Sequence, residues 1–251
     1  MTTKTPNTNQ LAEQLAFLKL SFMLEQFTAL AGEAARAHWD HVAYLAALVE
    51  GEATLRRERS VQRRIKLARF PVIKTLEQFQ WSWPKAINRQ QVQHLFRLDW
   101  VTENGNVVFL GTVGVGKTHL ATALGYQACL KGYNVRFATA IEVVNTLVAA
   151  ERAGRLKQAL ESYRKPAVLV LDELGYLPID KVGADLLFQI LSQRYEQGAT
   201  VITSNRAYKD WAEIFNNDAT LTSALLDRVL HHAETVLIEG QSYRMKDRVE
   251  V

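Results

Sequence analysis

Four groups of residues in this chain are of the right type and spacing to act on a phosphate chain together. Gly111, Thr112, Val113, Gly114, Val115, Gly116, Lys117 and Thr118 match the pattern G-x-x-x-x-G-K-[ST] without a substitution. Glycines let backbone N–H groups close on an anion, and a helix starting there adds the positive end of its dipole. Lys117 would reach the β and γ phosphates of a nucleoside triphosphate, and the Thr118 hydroxyl would complete a Mg2+ shell. An acid pair, Asp172-Glu173, follows the apolar run Ala167-Val168-Leu169-Val170-Leu171. In that place Asp172 would hold Mg2+ through its shell and Glu173 would polarise an attacking water. Asn205 ends another apolar run, Thr200-Val201-Ile202-Thr203. It is either a group that orients the water or a turn asparagine. Arg228, on the polar side of a helical stretch over residues 221–232, either projects toward a neighbour's nucleotide or pairs with Asp227 or Glu234 at the surface.

The elements needed to position these groups can be read from periodicity. Residues 107–110, 133–139, 167–171, 200–203 and 234–239 read as strands, and helical patterns separate them. An apolar run with no alternation marks a parallel strand covered on both faces. The spacing therefore predicts an α/β domain over residues 89–251, a parallel sheet flanked by helices with the glycine loop after its first strand. Residues 89–98 read as a short helix, residues 184–196 as an amphipathic helix closed by Gly198, and residues 211–215 as a further helix.

The first 70 residues have a different pattern. Apolar residues at helical spacing run from Asn9 to Leu30, and a second helix begins at Asp40 as its N-cap. Arg56, Arg57, Arg59, Arg63, Arg64, Lys66, Arg69 and Lys74 then crowd one segment that contains Glu58 as its acid. A helix face of nearly one sign is either a plain solvated face or, as is more common for so pure a charge, a contact with phosphates of a kind that positions a protein without reading base sequence. Arg152, Arg155 and Lys157 form a second basic concentration, joined by Arg164 and Lys165. Between the two parts, residues 71–88 read as an irregular connector rich in aromatics, Phe79, Trp81 and Trp83. Those rings either pack on the following domain or wall an adenine pocket.

Composition narrows the class. The chain has 251 residues, 48% hydrophobic and 22% charged, which excludes low-complexity disorder. Its single cysteine, Cys129, rules out an internal disulfide or a cysteine cluster and fits a reducing compartment. No apolar run is long enough for a membrane helix and no leader-like segment opens the chain, so a cytoplasmic location is expected. A net charge of +4 suits a polyanionic partner, and the clustering of the charge is more informative than its sum.

With these residues quoted, the chain resembles the AAA+ ATPases and, more narrowly, the IstB family of insertion-sequence transposition helpers. The matching pieces beyond Gly111 to Thr118 are Val170-Leu171-Asp172-Glu173-Leu174-Gly175, Ile202-Thr203-Ser204-Asn205, Leu225-Leu226-Asp227-Arg228-Val229-Leu230-His231-His232-Ala233 and Gly240-Gln241-Ser242-Tyr243-Arg244. The resemblance covers essentially the whole chain, and its last two pieces are the most specific. It implies ATP and Mg2+ as cofactors, Asn205 as sensor 1, and Arg228 as an arginine finger acting across a subunit interface. It further implies assembly as a homo-oligomer on duplex DNA with little sequence preference, and recruitment of a partner transposase. Bacterial helicase loaders of the DnaC and DnaI type are close cousins, so a replicative helicase loader is the alternative function. A small-molecule kinase built on the same loop is a third. No full helical lid is expected after the last strand, which leaves Arg244 as a candidate nucleotide contact without an assigned sensor role.

Overall fold

The computed structural model describes residues 8–245. By its internal contacts the chain divides into two units, residues 1–63 and 64–251.

The described part of the first unit is helical: α1 (Thr8–Phe17), α2 (Ser21–Arg36) and most of α3 (His41–Ala68). Asp40 caps α3 as its sequence requires, its Oδ1 accepting from the Ala43 N–H at 2.7 Å. The apolar pattern over residues 9–30 is not one helix. It breaks at Lys19, which has φ of 56°, and α2 restarts two residues on without a capping side chain of its own. The cap comes from α3 instead. Buried Glu52 accepts from the Phe22 N–H at 2.8 Å and the Met23 N–H at 3.4 Å, and pairs with Arg56 at 3.0 Å. A cap thirty residues away leaves no local sign of the break. Burial by itself would raise the Glu52 pKa, but Arg56 and the two amides hold it below its ordinary 4.5. A carboxylate lowered on folding adds stability above its unfolded pKa and loses it as the pH falls through the folded value. Glu52→Ala is therefore expected to destabilise the helical unit by about 1–3 kcal/mol at neutral pH. The difference from wild type should shrink below pH 4.5, as read by urea unfolding followed by circular dichroism; an unchanged unfolding midpoint at neutral pH would count against the cap.

The second unit is a six-stranded sheet with helices on both faces. Its elements in chain order are β1 (Ala86–Ile87), α4 (Arg89–Leu95), α5 (Asp99–Thr102), β2 (Asn106–Gly111), α6 (Lys117–Leu130), β3 (Val135–Thr139), α7 (Ala140–Arg152), α8 (Leu156–Arg164), β4 (Val168–Leu174), α9 (Lys181–Arg194), β5 (Ala199–Ser204), α10 (Trp211–Ile214), α11 (Ala219–Leu230) and β6 (Ala233–Glu239). The strand order is β1-β6-β2-β5-β4-β3. All neighbours are parallel except β1, which pairs antiparallel to β6 through Ala86↔Glu239 and Ile87↔Ile238. The connector is thus not wholly irregular. Its last residues form this two-residue edge strand, too short to give a periodic signal.

Alternation along each strand divides the core. Val107, Phe109, Phe137, Val168, Val170, Val201 and Val236 join the cluster under α4, α5 and α6, while Val108, Leu110, Leu169, Leu171 and Ile202 join the cluster under α7, α9 and α11. Both faces are covered, which is why these strands read as unbroken apolar runs. Cys129 is fully buried in the first cluster, and burial pushes its thiol up to about 11. Gly198 does not terminate α9. Glu196 takes the left-handed conformation there, with φ of 55°, and Gly198 leaves the space that the Arg194 guanidinium fills.

Candidate nucleotide site

Because β2 lies between β6 and β5, the chain leaves it toward β3 on the far side and returns through β4 and β5 before crossing to β6. This order puts a crevice at the carboxyl end of β2, where open α/β sheets bind their ligands. The glycine loop sits there. Gly114 and Gly116 have φ of 79° and 101°, values that L side chains rarely adopt. Added Cβ atoms would run into Ser242 at the first and into the Phe79 ring at the second, so both glycines are required by conformation and by space.

Lys117 opens α6 and donates from Nζ to the carbonyls of Gly111 at 2.8 Å and Thr112 at 2.6 Å. An ammonium has three donors, so these bonds leave one for an anion in the loop. Burial lowers the Lys117 pKa, Asp172 and Glu173 oppose the shift, and the charge of Arg244 adds to it. The last described segment lies against the loop. Tyr243 N–H donates to the Gly114 carbonyl at 2.9 Å and Thr112 Oγ1 donates to the Gly240 carbonyl at 3.1 Å.

A cavity of about 550 Å3 opens beside the loop, lined by Gly114 to His119, Pro71 to Lys74, Phe79, Trp83, Tyr243 and Arg244. Its size suits a small-molecule ligand. The connector aromatics pack on the following domain and also line this cavity. Phe79 is buried against Trp81 and His119, with ring centroids 5.0 and 5.4 Å away, and also faces the loop. His119 Nε2 lies 2.8 Å from the Thr75 carbonyl, and burial lowers its pKa.

The acid pair meets the loop from the next strand but one. Asp172 is 3% exposed at the end of β4, and its Oδ1 accepts from Thr118 Oγ1 at 3.0 Å. Thr203 on β5 completes the arrangement, donating to the same oxygen at 2.5 Å and accepting from the Glu173 N–H at 2.9 Å. The register between β4 and β5 slips between Leu171 and Leu174. Within that bulge Glu173 has φ of 60° and is exposed. Such a bulge re-aims a side chain, and here it turns Glu173 out of the strand while Asp172 stays buried. A strand threonine has no motif of its own, so the sequence does not mark Thr203; its role exists only through the pairing of β5 with β4.

Asn205 follows Ser204, whose register partners are Leu110 on β2 and Leu174 on β4. It is exposed at the mouth of the crevice between the two strands that carry the loop and the acids. Arg228 is not brought to this site. Its helix ends beside Asn106, which donates to the Val229 carbonyl at 2.9 Å, at the amino end of β2. The loop begins about 17 Å away at the other end of that strand, at the usual rise of roughly 3.3 Å per residue. The guanidinium donates to the Ala224 carbonyl at 2.7 Å and stacks 5.3 Å from the Phe188 ring centroid. Among the described residues it forms no ion pair, with Asp227 and Glu234 included.

The basic residues are spread along two surfaces. Arg56, Arg59, Arg63 and Lys66 follow one another at helical spacing on α3, but Arg56 is held by Glu52 and Arg59 donates to Ser21 Oγ at 3.0 Å. Arg57, Arg63, Lys66 and Arg69 are exposed and Arg64 is half-buried. Arg152, Arg155 and Lys157 are exposed around the turn between α7 and α8.

Set against known proteins, residues 13–251 match the profile of the family described as IstB-like ATP binding protein. The chain belongs to that family. This IstB-family chain is 38% identical over 240 residues to a protein of Pseudomonas aeruginosa named as an ATP-binding protein of insertion sequence IS21, covering 96% of this chain and 90% of that one. It is 36% identical over 231 residues to the corresponding IS5376 protein of Geobacillus stearothermophilus, covering 92% of each. Among solved structures it resembles DnaI, with a TM-score of 0.55 at 21% identity over 69% of this chain and 93% of that one. It also resembles the DnaC helicase loader, with a TM-score of 0.53 at 22% identity over 66% and 96%. At these identities the likeness concerns the fold, a P-loop domain of AAA+ type. No helix among the described residues is long and apolar enough to cross a membrane.

The residues present fit a nucleotide with Mg2+. The glycine loop leaves no room for side chains, Lys117 offers a cation, and Thr118 and Asp172 set two hard oxygen donors 3.0 Å apart. Such donors suit Mg2+, which Thr118 and Asp172 would hold and which would supply positive charge against the phosphates when bound.

Proposed function

We propose that this protein is an ATPase of insertion-sequence transposition that assembles on duplex DNA and engages the element's transposase, with hydrolysis completed by a neighbouring subunit. The observation that carries this reading is the separation of Arg228 from its own glycine loop. An engine with loop, acid pair and Asn205 in one crevice, and an arginine in none of the ion pairs among the described residues near the opposite end of the strands, is complete where two copies meet. In this reading Lys117 binds the phosphates, Glu173 accepts a proton from the attacking water, Asn205 orients that water, and Arg228 of the adjoining copy neutralises charge developing on the transferred phosphoryl group.

The relatives named for insertion sequences support a transposition role over that of a replicative helicase loader. DNA is met by the exposed basic residues, Arg57, Arg63, Lys66 and Arg69 on or just after α3 and Arg152, Arg155 and Lys157 beside α7 and α8. Contacts of this type are individually weak and add up in an oligomer. The deciding experiment measures ATP turnover with and without duplex DNA while light scattering follows assembly. Turnover that rises with both DNA and assembly supports the proposal; equal turnover by an isolated subunit without DNA refutes it.

The site geometry makes a finer prediction. Thr203→Val removes the hydroxyl that joins Asp172 to the Glu173 amide and leaves a strand-compatible side chain. Nucleotide affinity should stay within about threefold of wild type while turnover drops by roughly tenfold or more, as for other supports of ligating groups. Equilibrium nucleotide binding and a phosphate-release assay separate the two effects. A variant with wild-type turnover would remove Thr203 from the machinery.

A further inference from the structure

Glu196, His231 and His232 bring three potential metal-ligand atoms within 4.8 Å of one another on an exposed surface away from the nucleotide crevice. We propose that these residues form a binding site for a borderline-soft divalent cation of the Zn2+ type, attached to the segment that follows Arg228. Two imidazole nitrogens and one carboxylate oxygen, with room for water, are a donor set that such ions favour and that Mg2+ does not.

One ligand is supported at its ring and the other two at their backbones. The Tyr195 hydroxyl lies 2.8 Å from His231 Nδ1; in the tautomer whose Nδ1–H donates to that oxygen, Nε2 is open to a metal, the arrangement by which an outer group orients a ligating histidine. The His232 carbonyl accepts from the Asn106 N–H at 2.7 Å, and the Glu196 carbonyl accepts from Asn104 Nδ2 at 3.1 Å. Asn104 and Asn106, at the entry to β2, thus anchor the backbones of two ligands. The rings of His231 and His232 lie with centroids 4.0 Å apart, and His232 Nε2 is 3.9 Å from Glu196 Oε1. Ligands of a tetrahedral shell with ordinary bond lengths sit about 3.3 Å apart, and rotation of exposed side chains closes that difference.

The backbone at Glu196 gives an independent reason to attend to its side chain. It occupies the residue after the α9 C-cap, with φ of 55°, where glycine is the usual occupant and a side chain is a burden. A glutamate there adds a carboxylate facing two histidines at a place that local geometry would give to glycine. A cation held by Glu196 and both histidines would tie the end of α9 to the end of α11, three and four residues beyond Arg228.

The test is a titration of the untagged full chain with Zn2+ in competition with a chromophoric chelator. It requires no nucleotide, so its result is separate from that of the ATPase reading. The expected result is one Zn2+ per chain at micromolar affinity, undisturbed by excess Mg2+. His232→Ala and Glu196→Gly should each weaken it by about tenfold or more, and Tyr195→Phe by a smaller factor. Glu196→Gly is the decisive variant because glycine relieves the left-handed backbone, so misfolding does not account for lost binding. Absence of micromolar binding overturns the proposal, and so does binding whose affinity survives both substitutions, which would show that the glutamate and histidine form an ordinary surface pair.

Discussion

Replacing Arg228 with alanine is expected to leave ATP binding by each subunit within about threefold of wild type and to reduce DNA-dependent turnover by at least roughly three orders of magnitude, the range found for arginines supplied to a phosphoryl-transfer site by a partner. The expectation follows from position. Arg228 adjoins the amino end of β2 while the loop occupies the carboxyl end, so its loss does not alter the crevice of its own subunit. Its present contacts, the Ala224 carbonyl and the Phe188 ring, are weak enough to exchange for a phosphate. The stronger form of the experiment mixes two inactive variants. Arg228→Ala still offers a whole crevice, and Glu173→Gln still offers an arginine, so a mixed assembly contains some interfaces with both. Activity that returns on mixing requires the arginine to act between subunits. Mixing without recovery, when light scattering shows that mixed assemblies form, or an Arg228→Ala protein with wild-type turnover, would remove Arg228 from the interface.

The same contrast explains what the sequence could disclose. The glycine loop, the acid pair and the apolar strands were legible because each is a local pattern whose physics is completed within a few residues: a loop that must admit an anion, a strand that must be covered on both sides. The residues that organise them were not. Thr203 matters because β5 lies beside β4, an adjacency that no periodicity in either strand encodes. Glu52 caps a helix thirty residues away, so the break at Lys19 had no local punctuation of the Gly or Pro kind. The bulge that turns Glu173 outward depends on a register shift between two strands. Likewise the connector aromatics could be read as packing or as a pocket wall, and Phe79 both packs on His119 of α6 and lines the cavity beside the loop. The basic residues of α3 are mixed in use, since Arg56 and Arg59 are engaged within their own unit.

Arg194 gives the largest expected effect on stability, and it too was invisible as anything but a helix-end charge. Its side chain is 1% exposed and forms no ion pair among the described residues. The guanidinium instead donates to the carbonyls of Tyr163, Arg164 and Pro166 at 2.9 Å, to Ala167 at 3.3 Å and Ala199 at 2.5 Å, and to Thr200 Oγ1 at 3.2 Å. These carbonyls belong to the end of α8 and the approaches to β4 and β5, where the chain turns into the sheet; the Ala167 carbonyl also accepts from the Ala199 N–H at 3.0 Å. Burial lowers the Arg194 pKa to about 10, still far above neutrality, so the group stays charged and its donors stay available. Arg194→Met keeps much of the apolar stem but strands these acceptors in the interior. A loss of roughly 3–5 kcal/mol is expected, the range for breaking a buried charged network on one side. That corresponds to a melting temperature lower by about 10 °C for a domain of this size. Arg194→Lys should fall between wild type and Arg194→Met, because an ammonium carries the charge but not the planar fork that reaches several carbonyls at once. Melting followed by calorimetry ranks the three proteins. If Arg194→Lys melts with wild type, the charge alone suffices and the geometry of the fork is irrelevant. If Arg194→Met does so, the strand starts are held by the sheet itself and the buried cation is dispensable.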